Sequence, residues 1–229
     1  MTHTELINAI IKQCGYKSYL EIGVQYAERN FDLVECQQKE GIDQNVAVKC
    51  LHHMTSDKFF AKADPAERWD IVFIDGDHRW MPALRDIGNS LYHLSDNGCI
   101  VMDNLNPLTF DEQSLTAGSV QSGTCWRAYA ILRCSRRDLS QVCIDFHQGM
   151  GVIQRGEQKL FAPPEDAAGM PCYFGKPWEI DWPLLEAHRE ELLNLVSVEE
   201  FERDYLPKMR GHEKPTPLPT EPARDIREQ

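Results

Sequence analysis

The sequence predicts an open α/β sheet, mostly parallel, with an antiparallel terminal hairpin and a C-terminal helical extension. Three observations predict it. Asp70-Ile71-Val72-Phe73-Ile74-Asp75 and Cys99-Ile100-Val101-Met102-Asp103 are short apolar runs closed by acids, the pattern of strands buried on both faces of a parallel sheet. Segments with helical spacing alternate with such runs along the first part of the chain. Val142 to Phe146 and Gly151 to Arg155 are two further strands, joined by the tight turn His147-Gln148-Gly149-Met150, and supply the hairpin.

Taken in order, Leu6, Ile7, Ile10 and Ile11 make a helical stripe that stops before Gly15. The first strand is Tyr19-Leu20-Glu21-Ile22-Gly23-Val24, the second ends at Gly41-Ile42-Asp43, and a third is read from Val46 to His53. After the 70–75 strand, Leu84, Ile87, Leu91 and Leu94 form the next helical stripe. Pro82 is tolerated near its start, and Asn97-Gly98 is read as a left-handed stop. Residues 106–123 are a long polar stretch of the kind used as a lid or binding loop, and Trp126 to Arg133 reads as helix. Beyond Gly156 a Pro-rich connection leads to a helix from about Trp182 to Leu195. Ser197-Val198-Glu199-Glu200 is a capping box for a short helix ending at Pro207. Pro215, Pro217, Pro219 and Pro222 predict an extended tail. The expected division is a ligand-binding domain over 1–156, a helical extension packing on it over 157–207, and a Pro-rich tail over 208–229.

The 229 residues, 42% hydrophobic and 26% charged, are enough for one domain with extensions, and they exclude wholesale disorder or a fibrous repeat. Lys plus Arg is 24 against 36 for Asp plus Glu, and the net charge of −12 argues against a nucleic-acid partner, whose phosphates need cations. No apolar run approaches the roughly 20 residues of a membrane span. Met1-Thr2-His3-Thr4-Glu5 lacks the regions of a signal peptide, so a cytoplasmic protein without a membrane partner is expected. Eight cysteines without a C-x-x-C pair read as reduced, mostly buried side chains.

In an open α/β sheet the ligand sits outside the carboxyl ends of the strands, where the first strand–helix turn approaches it and an acid twenty-odd residues on receives ribose hydroxyls. Glu21-Ile22-Gly23 and Asp43 fit that arithmetic. Val24, Gln25, Tyr26 and Ala27 follow where a pyrophosphate-binding turn would carry more glycines, which favours a ligand without phosphates.

With these motifs the sequence resembles the class I S-adenosylmethionine methyltransferases, a Rossmann-like family whose sheet ends in the same hairpin. The resemblance covers about residues 5–156. Tyr19 to Val24 looks like the family's first motif, Gly41-Ile42-Asp43 like its ribose-binding acid, and Thr55-Ser56-Asp57 like the loop near the adenine. The resemblance implies S-adenosylmethionine as cofactor, held by Glu21 at the methionine end, Gly23 and Gln25 at the turn, Asp43 at the ribose, Ser56 or Asp57 at the adenine edge, and Asp75.

Asp75 and Asp103 each close a buried strand, and neighbouring parallel strands lie about 4.8 Å apart. Both carboxylates and the Asn104 amide can therefore converge on one point, a donor set that suits a hard cation such as Mg²⁺ or another divalent ion. Phe73-Ile74-Asp75-Gly76-Asp77-His78 and Val101-Met102-Asp103-Asn104 resemble metal-dependent O-methyltransferases acting on catechols, caffeoyl-CoA and macrolide sugars, whose ligands fall at Asp75, Asp103 and Asn104 and whose catalytic base falls at His78. Asp77 is an alternative to Asp75 as ligand. The plainer readings are a strand-end histidine bonded to a neighbouring acid for His78 and an Asx turn for Asp103-Asn104. Trp80 and Trp126 are expected in helix packing ahead of an acceptor pocket with Arg127, and His52-His53 as a pair on opposite faces of a strand.

An alcohol is about as weakly acidic as water, pKa ~15.7, and histidine titrates near ~6.5. That gap of ~9 units, roughly 12 kcal/mol, is too large for histidine alone. A cation on the hydroxyl oxygen can close most of it, and a general base then adds ~10²–10⁴-fold. The expected function is therefore Mg²⁺-dependent O-methylation of a small molecule with vicinal oxygens. Metal-independent N- or C-methylation and a catalytically silent cofactor-binding scaffold are the alternatives, and a homodimer is one assembly the sequence allows.

Overall fold

The computed structural model describes residues 1–114, 122–162 and 180–211. The central part of the 106–123 stretch, most of the Pro-rich connection with Cys172, and the 212–229 tail lie outside the described residues. Helix α1 (His3–Cys14) begins in a capping box: Thr2 Oγ1 accepts from Glu5 N, and Thr2 N donates back to the Glu5 carboxylate at 2.7 Å. It stops at Gly15, which is left-handed with φ 69°. There follow β1 (Ser18–Ile22), β2 (Gln38–Asp43), β3 (His52–His53), α2 (Ser56–Phe60), β4 (Trp69–Ile74), α3 (Trp80–His93), β5 (Leu94–Met102), α4 (Trp126–Ser135), β6 (Leu139–Ile144) and β7 (Met150–Arg155). After the connection come α5 (Trp182–Leu193), β8 (Leu195–Val196) and α6 (Val198–Glu200), which runs on as a π-helical turn over Phe201–Tyr205.

These strands make one eight-stranded sheet in the order β3-β2-β1-β4-β5-β7-β6-β8. The β3-to-β5 part is parallel, β7 is antiparallel to both β5 and β6, and β8 is parallel to β6. Strand alternation divides the core in two. Leu20, Ile22, Val72, Ile74, Ile100 and Met102 face α2 to α5, whereas Tyr19, Ile71, Phe73, Cys99 and Val101 face α1 and the C-terminal turn. The chain order reverses between β1 and β4, so the carboxyl ends of these two strands open a crevice.

Three expectations are corrected. The strand read from Val46 to His53 shrinks to β3, because Asp43 Oδ1 accepts from Asn45 N (2.8 Å) and Asn45 Oδ1 from Ala47 N (3.0 Å), two successive Asx turns that curl the chain. Asn97-Gly98 is not a left-handed stop: neither residue has positive φ, and α3 passes directly into β5 through Leu94 at φ −78°, ψ 135°. Gly98 instead serves close approach, since a Cβ there would meet the Asp70 carbonyl at 2.7 Å. The C-terminal extension is more than helical: β8 extends the sheet, and Leu185, Leu192 and Leu193 are fully buried in the main core.

Candidate active site

A cavity of about 770 Å³ opens at the crevice between β1 and β4. Gly23 forms its inner turn. Its N–H donates to Ile42 O (2.9 Å), Asp75 N donates to Ile22 O (2.9 Å), and φ at Gly23 is 91°. A Cβ there would overlap the Asp75 carbonyl and lie 2.7 Å from the Gly76 Cα, so β1 and β4 come this close only because the residue is glycine. Two residues on, Gln25 is left-handed (φ 48°) and donates its N–H to Asp43 Oδ2 at 2.9 Å. Asp43 thus braces both loops, and each carboxylate oxygen keeps a further lone pair for a ligand.

Helices α2 and α3 build one wall. Thr55 caps α2, placing Ser56 and Asp57 on the cavity. The Asp57 carboxylate is gripped by Arg85, with contacts of 3.2 Å from Nε and 3.1 Å from Nη2. Asp86, 2% exposed, also lines the cavity and bonds the Ser56 side chain; burial pushes its carboxyl up to about 6. Sequence reading passed over Asp86. The signal was there: it shares the buried face of α3 with Ala83, Ile87 and Ser90, and an acid on that face is the exception that calls for an explanation.

Opposite this wall, Asp75, His78, Asp103 and Asn104 line the same cavity. His78 Nε2 lies 3.4 Å from Asp75 Oδ1, and Asn104 Nδ2 lies 3.2 Å from the same oxygen and 3.4 Å from His78 Nε2. Asn104 adopts φ 66°, a strained conformation for a non-glycine residue. Asp103 Oδ1 accepts from Asn104 N (2.7 Å), while Oδ2 faces His3 Nε2 at 3.4 Å. Burial first, and the Asp75 charge second, push Asp103 up to about 6. His3, from the first turn of α1, had no sequence signal; it reaches Asp103 because both occupy the α1 side of the sheet. Asp77 is withdrawn from the cluster by its pairing with Arg79, which holds its carboxyl below the usual range.

Among the described residues, no three or more His, Cys, Asp and Glu side chains group as a metal site. The set that does gather is two carboxylates and an amide. It fits a hard cation by its chemistry, once the Asn104 amide turns its oxygen toward the ion, because Asp75 and Asp103 otherwise face each other's charge in a poorly solvated corner.

Glu21 stands apart from the expected methionine end. It shares strand parity with Tyr19 and Phe73, so its side chain points to the α1 face, and it is absent from the cavity lining. Only 1% exposed, it accepts hydrogen bonds from the Tyr19 hydroxyl and from Asn30 Nδ2 (3.0 Å), and burial pushes its carboxyl up to about 8. Away from the cavity, Trp126 is fully buried, the Arg127 guanidinium lies 5.3 Å from the Trp80 ring, and His52 bonds Glu40 at 2.9 Å.

Residues 9–105 match a family described as a methyltransferase domain. No curated protein matches the sequence. Among solved structures, the chain is similar to an O-methyltransferase from Bacillus cereus in complex with S-adenosylhomocysteine. That pair has 13% identity and a TM-score of 0.50, covering 68% of this chain and 82% of that one. It is similar to the same degree (13% identity, TM-score 0.50, 66% of this chain and 78% of that one) to TomG from Streptomyces achromogenes, an O-methyltransferase involved in tomaymycin synthesis and solved in complex with S-adenosylmethionine. Residues 9–105 thus resemble a methyltransferase domain, and the chain shares the open α/β fold of these two solved methyltransferases.

Proposed function

We propose that the protein is a cytoplasmic, divalent-cation-dependent O-methyltransferase that transfers the methyl group of S-adenosylmethionine to a small-molecule hydroxyl with a vicinal oxygen. One observation carries this reading: a single cavity at the sheet's crevice collects the Gly23 turn, Asp43, Ser56 and Asp57 on one side and Asp75, His78, Asp103 and Asn104 on the other. In this reading Asp43 receives the ribose hydroxyls, the Gly23–Gln25 turn the methionine part, and Ser56 with its neighbours the base. Asp75, Asp103 and Asn104 would hold Mg²⁺, which when bound orients the acceptor and acidifies its hydroxyl. His78, beside Asp75, takes the hydroxyl proton at Nε2, and the cavity walls hold the two reactants so that transfer is nearly unimolecular.

Calorimetric titration of S-adenosylhomocysteine with and without Mg²⁺, on wild type and Asp103→Ala, tests the reading. Binding is expected in both proteins, with a Mg²⁺ response in the wild type alone. A wild type indifferent to Mg²⁺ removes the metal-dependent mechanism, and failure to bind the nucleoside removes the donor assignment. One observation favours a metal-independent transfer to nitrogen or carbon: His3 already sits beside the outer oxygen of Asp103. Mg²⁺ indifference with retained nucleoside binding would select it.

A further inference from the structure

The first residue of α1 reaches the acid that follows β5. The Thr2–Glu5 capping box fixes the first turn of the helix, and with it the backbone that carries His3. The imidazole lies among three rings, its centroid 6.1 Å from that of Phe73, 6.3 Å from Phe146 and 4.8 Å from His147. So placed, Nε2 stands 3.4 Å from Asp103 Oδ2, within ion-pair reach but without a formed hydrogen bond. This nitrogen is shut off from solvent and has no hydrogen-bond partner among the described residues. A buried polar atom left unpaired is costly, and an ionised carboxylate can only accept, so the nitrogen facing it serves as an N–H donor.

Asp103 is itself buried, and its other oxygen accepts from Asn104 N at 2.7 Å. With His3 at Oδ2 the carboxylate is held from both ends, and each oxygen keeps a lone pair for an ion. Ligating carboxylates are oriented by such outer hydrogen-bond donors, and metal affinity depends on them. His3 does not line the cavity, so its action on the site passes through Asp103.

We infer that His3 is a positioning residue for the cation site: its Nε2–H holds the outer oxygen of Asp103 and presents the carboxylate to a divalent ion. This rests on the cation assignment under Proposed function. It opposes the other use of the same contact, in which the imidazole replaces the ion as the counter-charge of Asp103. The two differ in sign. Removing a positioning donor weakens ion binding, whereas removing a substitute for the ion strengthens it.

The test measures Mn²⁺ affinity by calorimetry for wild type, His3→Leu and His3→Gln, with S-adenosylhomocysteine affinity measured in parallel. Leucine deletes the donor, and glutamine places an amide N–H close to where Nε2 stood. His3→Leu is expected to bind Mn²⁺ about 10–100-fold more weakly than wild type and His3→Gln within about 3-fold of it, with nucleoside affinity equal in all three. Unchanged or tighter Mn²⁺ binding in His3→Leu, a loss as large in His3→Gln, or an equal loss of nucleoside affinity overturns the inference while leaving the cation assignment intact. A wild type that binds no Mn²⁺ removes both. Should His3→Leu not fold, the Nε2 resonance of His3 in the Mg²⁺-saturated wild type provides the readout: a proton-bearing ring nitrogen is expected, and a bare, acceptor-type nitrogen overturns the inference.

Discussion

The carboxyl of Glu21 keeps its proton at neutral pH because burial outweighs the two donors that reach it. Its titration therefore opposes folding over a definite window. The unfolded chain releases this proton near 4.5 and the native state near 8, so between those values the native state binds more protons and stability falls as pH rises. The shift of about 3.5 units sets a ceiling of about 5 kcal/mol on the effect. Urea unfolding at pH 5 and pH 8 should show the wild type weakening at the higher pH and Glu21→Gln weakening measurably less. Equal losses would mean that Glu21 is not the group responsible. The sequence placed Glu21 correctly on the first strand but could not give its direction. Direction follows from where the strand ends, and Gly23 ends it at Ile22, before the expected Val24. Asp75 and Asp103 were readable because each closes a run of apolar residues that fixes the strand's position, His78 and Asn104 because they follow close behind, and Asp43 by its distance from Gly23. His3 was not, because its role depends on how α1 packs against the sheet, whereas Asp86 carried a signal of its own, an acid on the buried face of α3.

Among the elements, α5 has a reach that its sequence does not advertise. Arg189 Nη1 donates to Asn106 Oδ1 (2.5 Å) and to Pro107 O (2.6 Å), and Asn106 Nδ2 donates to Asp145 Oδ1 (3.0 Å). The segment leaving β5, immediately after Asp103 and Asn104, is thereby tied both to the C-terminal helix and to the end of β6. Arg189→Met keeps much of the aliphatic stem but removes the donors. The expected cost is about 1–3 kcal/mol of stability, with faster amide exchange at Asn106 and Leu108 and unchanged affinity for S-adenosylhomocysteine. Unaltered exchange there would show that the tether does not hold the segment. The helices and strands with strong periodicity, α1, β4 and the β6–β7 hairpin, could be read from the sequence. The two-residue β8 could not, since no pattern exists at that length and its pairing with β6 is a tertiary event.

At the scale of the molecule, residues beyond 180 complete both halves of the core. Leu185, Leu192 and Leu193 fill the α2–α5 side, and Val196 and Phe201 fill the α1 side. At ~1.5–3 kcal/mol for each buried side chain, these five contribute about 10 kcal/mol, comparable to the ~5–15 kcal/mol of net stability typical of a domain. A chain cut after Gly156 is therefore expected to lose its near-UV circular dichroism and cooperative thermal transition; a truncated protein that melts cooperatively would show that the first 156 residues suffice. The composition shift after Gly156 marked a change of segment, but it carried no information on whether that segment is structurally dispensable.

The sheet also finishes on each side with a very short strand, His52–His53 at one border and Leu195–Val196 at the other. A long bare border invites a foreign strand to zip on, which is the route to fibrils and to swapped assemblies. Here each outermost strand is two residues long, and among the described residues four residues of β2 (Gln38–Gly41) and four of β6 (Leu139–Val142) extend past it, so neither border offers a long continuous ladder. Concentrated solutions of the folded protein should accordingly resist cross-β polymerisation, and copies that do associate would have to meet through helical faces.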